Sequence, residues 1–330
     1  MQLKQTRSIT IGNAAQKQQY SIVILKSGTI VSFFSQDDDC YVEWFGENEN
    51  VQVRVEEIAW DVFDTPAFFH FGNHVGVYSS KNDFVVLYNE AEKHKAIKIP
   101  IENKLPEIAF PSFNKPLSNY HRAGVTRNDV VPILFTSMGL LPVYIAELRI
   151  DLQNSTATWN QLKYWNNKTT VDLHQESFAK PAKSFAILHA LNKQGISYAY
   201  GIGDRESGYL KPGMEFSEMA VIDENGLATE TLFSLGRLYK ESKKGGKECL
   251  FASSGKYAIL TPVYKADDWR NKQKLFDLEA RQLLDVDLPE GLAGYRIIDH
   301  HNDRFLLANN YTNLIFAHTD ELVLCEMVGQ

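Results

Sequence analysis

One pattern constrains the fold of this chain more than any other feature. An apolar run, a short turn rich in Gly, Asn or Asp, and a second apolar run recur along nearly its whole length. The pattern reads YSIVIL-KSG-TIVSFF from Tyr20, AFFHF-GN-HVGVYS from Ala67 and YHRAGV-TRND-VVPILFTS from Tyr120. It returns as SFAILHAL-NKQG-ISYAYGIG from Ser184, ECLFA-SSGK-YAILTPV from Glu248 and YRIIDHH-ND-RFLLANN from Tyr295. Runs this short, closed by turn residues, predict β-hairpins, because a helix needs a longer segment with 3.6-residue periodicity. The starts at 20, 67, 120, 184, 248 and 295 lie 47, 53, 64, 64 and 47 residues apart, which marks six comparable units.

Each hairpin is followed by two further strand candidates around a polar turn. They read CYVEWF-GENEN-VQVRV, DFVVLY-NEAEKH-KAIKIP and PVYIAELRI-DLQN-STATWNQLKY in the first three units. In the last three they read EMAVI-DENGL-ATETLFSL, KLFDL-EAR-QLLDVDL and LIFAH-TD-ELVLCEM. Four strands joined as successive neighbours make an antiparallel meander, and such a unit cannot bury both of its faces alone.

In this the chain resembles β-propeller repeat proteins from Tyr20 to Glu326, with no WD40 Trp-Asp ending, Kelch double glycine or sialidase-type Asp box. The resemblance implies an all-β, six-bladed β-propeller, with a seven-bladed ring containing one irregular blade as the alternative. It lends no catalytic residue. One domain over 1–330 follows, with blades at about 20–56, 67–100, 120–164, 184–235, 248–288 and 295–327. Ring closure needs a partner for the last sheet, since an open edge exposes unpaired backbone groups. The lone strand candidate at 7–12, RSITIG, is expected to pair near Glu321–Glu326.

Two stretches compete with this register. Asp267–Leu284 is rich in helix formers, with Trp269, Phe276, Ala280 and Leu283 on one helical face. Val86–Lys98 has a weaker helical pattern. Strands are expected in both, because the repeat demands them.

Composition narrows the function. Lys+Arg 34 against Asp+Glu 41 gives a net charge of -7, which argues against general nucleic-acid binding because tracking phosphates needs a basic excess. The 12% aromatic content suits pleated surfaces. Cys40, Cys249 and Cys325 are odd in number and far apart, so neither a disulfide framework nor a CxxC metal site is expected. The polar stretch Met1–Gln19 contains no signal-peptide core, and no run is long and apolar enough for a membrane helix. A cytoplasmic protein is the expectation, and the sequons at Asn154, Asn167 and Asn310 are read as chance.

Loops from second to third strand, and from fourth strand to the next blade, emerge at one end of a meander. There we place SQDDDC (35–40), 56–65, 101–119, 164–183, 203–217, 236–246 and 264–272. Their charges and aromatics nominate Asp38, Trp60, Asp61, Asp64, Arg205, Glu206, Tyr209, Asp268, Trp269 and Arg270 as a binding face, since Trp, Tyr and Arg dominate protein interfaces. The run Asp37–Asp39 lacks EF-hand spacing, and no HExxH, GxSxG, P-loop or GxGxxG motif occurs, so no catalytic residue, metal or cofactor is assigned. His70, His74, His189, His300 and His301 read as strand or turn histidines. The expected function is non-enzymatic binding of a protein partner, with an inhibitor or immunity protein for a basic partner as the narrower form. The alternatives are a propeller hydrolase or lyase acting on a carbohydrate or other small molecule, and a ligand-sensing module.

Overall fold

The computed structural model describes residues 1–37, 39–47, 50–56, 58, 66–79, 81–104, 120–123, 129–137, 140–164, 184–193, 196–204, 217–222, 228–234, 247–262, 273–309 and 319–328. Their strands form antiparallel sheets of four. An N-terminal strand, β1 (Leu3–Thr10), precedes the first sheet, which holds β2 (Gln18–Ile24), β3 (Ile30–Gln36), β4 (Asp39–Phe45) and β5 (Asn50–Arg54) in that order. The next is β6 (Ala67–Phe71), β7 (His74–Tyr78), β8 (Phe84–Asn89) and β9 (Ala96–Pro100). Then come β10 (Tyr120–Ala123), β11 (Val130–Ser137), β12 (Leu140–Asp151) and β13 (Thr156–Tyr164). They are followed by β14 (Ser184–Lys193), β15 (Ile196–Asp204), β16 (Ser217–Ile222) and β17 (Ala228–Ser234). The fifth sheet is β18 (Lys247–Phe251), β19 (Tyr257–Pro262), β20 (Gln273–Asp277) and β21 (Gln282–Val286). These five are sequential meanders. The last sheet is composite: β22 (Arg296–His301), β23 (Arg304–Ala308) and β24 (Glu321–Met327) are completed by β1, in the order β1-β24-β23-β22.

The N-terminal strand pairs with β24, Thr10 against Glu321 through Leu3 against Met327, and runs over residues 3–10 where 7–12 was expected. One strand assignment changes. ELVLCEM, expected as the fourth strand of its unit, is the third, with Phe305 opposite Cys325 and Leu307 opposite Val323. The strand expected at LIFAH (314–318) lies outside the described residues. Among the described residues the helical alternatives are not taken up: Gln273–Val286 is a hairpin, and β8 and β9 pair from Phe84–Pro100 to Tyr88–Ala96, while residues 267–272 lie outside the described residues. At the hairpin tip, the Asp277 carboxylate accepts the N–H groups of Glu279 and Ala280 at 2.9 Å each, and Arg281 takes a left-handed φ of 53°. This Asx-type turn reverses the chain where helix propensity would have continued it.

The chain divides into two compact units. One comprises Met1–Glu57, Asn89–Lys95 and Glu241–Gln330, the other Ile58–Tyr88 and Ala96–Lys240. In the first unit the composite sheet is covered on both faces. β23 presents Phe305 and Leu307 to Tyr257, Ile259 and Leu275 of the β18–β21 sheet, and Leu306 and Ala308 to Ile22, Ile24, Ile30 and Phe45 of the β2–β5 sheet. β24 divides Val323 and Cys325 from Leu322 and Leu324 in the same way. Successive strand residues point to opposite faces, so a strand buried on both must be apolar throughout. That explains the unbroken runs in the sequence. In the second unit Phe69, Phe71, Tyr78, Val85 and Leu87 pack on Val131, Ile133, Ala146, Leu148 and Ile150. Outer strands are only half covered, as the alternating exposure of β5 and β9 shows.

Candidate functional site

Each meander carries its long connections at one end. Segments 55–66, 101–119, 165–183, 205–216, 235–246, 263–272 and 309–320 each join a second to a third strand or leave a fourth. The first-to-second turns at the other end are short: 25–29, 72–73, 252–256 and 302–303. One expected loop does not fit this division, because β3 ends at Gln36, β4 starts at Asp39 and these two residues pair directly. Asp37 there is left-handed, with a φ of 51°, and Asp39 accepts Arg54 Nη2 at 2.6 Å. All ten nominated binding residues, Asp38, Trp60, Asp61, Asp64, Arg205, Glu206, Tyr209, Asp268, Trp269 and Arg270, lie outside the described residues. Among the described residues no group of three or more His, Cys, Asp and Glu side chains is arranged to hold a metal ion.

The densest reactive chemistry among the described residues sits at the short-turn end of the first unit. A bulge in β22 between Ile297 and Asp299 turns the Asp299 carboxyl into the joint of three sheets. Its Oδ2 accepts Ile24 N at 2.8 Å from β2, while Oδ1 accepts Ser253 N at 2.7 Å from the β18–β19 turn and His300 N at 2.8 Å. Ser253 Oγ donates in turn to Ile24 O at 3.2 Å. Asp299 is 3% exposed, and burial pushes its carboxyl up to about 6 against the pull of these donors. Next to it, His300 Nδ1 is hydrogen-bonded to Ser254 Oγ at 2.9 Å, and the ring meets Tyr257 edge to face at 4.8 Å. Its Nε2 is buried with no hydrogen-bond partner among the described residues, and burial, with Lys256 and His301 nearby, lowers the imidazole to about 4.

Ser, His and Asp thus lie together, but not as a catalytic relay. In a relay the carboxylate orients the imidazole, whereas Asp299 is occupied by backbone N–H groups and His300 by Ser254. The cluster is a structural joint. The cysteines are equally unreactive: all three are buried, and burial raises Cys40 to about 12, Cys325 to about 11 and Cys249 as well.

Side-chain amides make further joints of this kind. Gln19 Nε2 donates to Thr319 O at 3.2 Å and its Oε1 accepts Thr319 N at 3.3 Å, linking the start of β2 to the start of β24. In the second unit, Asn103 Nδ2 donates to Trp159 O at 2.9 Å and its Oδ1 accepts Trp159 N at 2.6 Å. Backbone bridges repeat the same relation between outer strands, Gln2 with Asp287 and Ile101 with Ala157. Sequence reading missed Gln19, Gln273 and Asp299. Their one signal was a polar residue bordering or interrupting an apolar strand run.

Together these meanders and the terminal strand pairing define an all-β protein with the β-propeller fold. No protein-family model and no curated protein sequence matches the chain. Among solved structures it is similar to virginiamycin B lyase from Staphylococcus aureus, at 9% identity and a TM-score of 0.44 over 99% of this chain and 100% of that one. It is also similar to the Cps50 (Swd1) β-propeller domain of Myceliophteria thermophila, at 7% identity and a TM-score of 0.49, again over 99% and 100%. The polysaccharide lyase Uly1 is similar at 9% identity and a TM-score of 0.47, over 93% of this chain and 89% of that one.

Proposed function

We propose that this chain is a non-enzymatic β-propeller that binds a protein partner through its long-connection ends. The observation that carries the reading is the division of labour between the two ends of each meander. In the first unit the short-turn end spends its Ser, His and Asp side chains on holding sheets together. The long connections hold Trp60, Asp61, Arg205, Tyr209 and Trp269, residue types that combine apolar contact with a polar tip. Loops held on a rigid scaffold vary without loss of the fold, so recognition is best placed there.

A net charge of -7 favours a basic partner, with association faster at low salt and weakened as salt screens it. An inhibitor or immunity protein covering a basic enzyme's active site is the specific form of this reading, in a reducing cytoplasmic compartment where three buried thiols stay free. The test is a pull-down from the native host at low and high salt. A stoichiometric basic partner, released by salt and weakened about tenfold or more by Trp60→Ala, Arg205→Ala or Trp269→Ala, is the expected result. Absence of any stoichiometric partner, or binding indifferent to all three substitutions, overturns it.

A further inference from the structure

We propose that the outer edge of β5 docks an extended segment of a basic protein, added to the β2–β5 sheet as a fifth strand. This surface is separate from the long connections and recognises its partner through the backbone, so it stands or falls independently of them.

The outer strands of the sheets are not alike. An open edge offers backbone groups to any incoming strand, and folded proteins blunt it with bulges, bridges, prolines or charges. Among the described residues β5 is the outer strand with none of the first three. β1 is bulged against β24 between Gln5 and Arg7, and β17 shifts register twice against β16. β9 ends at Pro100, and Ile101 then bridges to Ala157 of β13, whose Trp159 N–H and C=O are taken by Asn103. β21 runs into a bridge of Asp287 with Gln2, where Leu3 N donates to Asp287 O at 3.1 Å. β5 instead pairs with β4 without a shift, from Tyr41–Arg54 to Phe45–Asn50, and the strand order leaves its other side at the edge of the sheet.

The direction of the amides is fixed by one hydrogen bond. Val55 N donates to Cys40 O at 2.8 Å. Amides alternate along a strand, so Val53 and Val51 also turn their N–H and C=O towards β4, while Asn50 and Gln52 turn theirs away. The side chains of Asn50 and Gln52 are exposed, and Val51 and Val53 are half-buried on the opposite face. An incoming strand can therefore exchange N–H and C=O bonds with Asn50 and Gln52 and lay β-branched residues beside Val51 and Val53.

Charge selects the occupant. Glu47 and Glu56 stand exposed at the two ends of the strand, next in sequence to Glu49 and Glu57, whereas Arg54 is already held by Asp39 at 2.6 Å. A second copy of this edge would bring carboxylates against their own kind, while Lys or Arg at both ends of an incoming segment neutralises them. The fitting partner is a strand of alternating β-branched residues with basic ends.

The probe is the capped peptide Lys-Lys-Thr-Val-Thr-Val-Thr-Lys-Lys, compared with the same peptide carrying Glu for every Lys, titrated into the full chain at low salt. Fluorescence anisotropy gives the affinities, and hydrogen exchange reads the amides of Asn50 and Gln52. The basic peptide is expected to bind about tenfold or more tighter than the acidic one and to slow exchange at both amides. Gln52→Pro removes an outward N–H and spares the β4 ladder, since proline is tolerated where an edge N–H faces solvent, and it should weaken binding about tenfold. Glu47→Lys with Glu56→Lys should reverse the preference between the peptides, and this exposed pair decides the matter if Gln52→Pro does not fold. Failure of both peptides to bind, affinities indifferent to these substitutions, or protection that spares Asn50 and Gln52 overturns the proposal. So does a dimer of the chain that Gln52→Pro dissociates, because the edge then takes a second copy.

Discussion

The side chain of Gln273 meets the backbone of Ile297 as a neighbouring strand would. Its Oε1 accepts Ile297 N at 2.7 Å, while its Nε2 donates to Tyr295 O at 2.6 Å. One amide thereby satisfies a donor and an acceptor at the entry to β22, and it does so from the first residue of β20. Gln273 is 2% exposed. Gln273→Leu preserves volume but strands both backbone groups, at about 1–3 kcal/mol each, so a loss of about 2–6 kcal/mol is expected by denaturant unfolding. Hydrogen exchange at Ile297 should accelerate with it.

Lys17 and Glu43 form a buried ion pair at 2.6 Å, with side chains 4% and 8% exposed, and the ammonium lies 4.5 Å from the centroid of the Phe34 ring. Removing one partner leaves the other charge buried alone. Lys17→Met should therefore cost about 3–5 kcal/mol, while Lys17→Met with Glu43→Leu should cost much less than the sum of the two single changes. A double-mutant cycle measures this coupling directly.

Gly76 in β7 marks a close approach within the second unit. A Cβ there would stand 2.3 Å from two ring carbons of Phe69 and 2.8 Å from Leu87 Cδ2. Gly76→Ala is expected to destabilise by about 1–3 kcal/mol through overpacking, and Phe69→Leu in the same chain should recover part of that loss. Thermal unfolding of the single and double variants compares them.

The terminal strand should matter for stability. Leu3, Ile9 and Ile11 are buried at the composite sheet, and burial of such side chains is worth about 1.5–3 kcal/mol each. Deleting residues 1–12 is therefore expected to lower the melting temperature and to expose β24 to hydrogen exchange; an unchanged melting temperature would contradict the pairing.

Glu321 ties that strand down, accepting the hydroxyls of Ser8 and Tyr295. These bonds hold its carboxyl below the usual value of 4.5. A carboxyl depressed in the folded state contributes stability above its unfolded value and loses it as pH falls through the folded one. Glu321→Gln should accordingly flatten the acid limb of the stability profile, as followed by unfolding between pH 2 and 5.

The hairpins were legible because their signals are local. Apolar runs mark strands buried on both faces, and turn residues such as Gly72, with a φ of 59°, mark reversals. The composite sheet was only half legible. LIFAH and ELVLCEM both have strand composition, and nothing in either says which lies beside β23. Pairing ELVLCEM with both β23 and the N-terminal strand settles its place, through partners such as Leu324 opposite Arg7 on one side and Leu306 on the other. The nominated binding face came from residue type and loop order. The buried joints escaped notice because Gln19, Gln273 and Asp299 have no distinguishing neighbours in sequence.

By itself the sequence determined the hairpins, the grouping of the first five sheets in fours and the need for a terminal strand to pair with the last sheet, since hydrophobic pattern and turn chemistry act over a few residues. Tertiary structure alone decided which polar side chains hold neighbouring sheets together. Ile24 and Asp299 are 275 positions apart, as Gln19 and Thr319 are 300, and a buried hydrogen bond is specified only once both partners have lost their water.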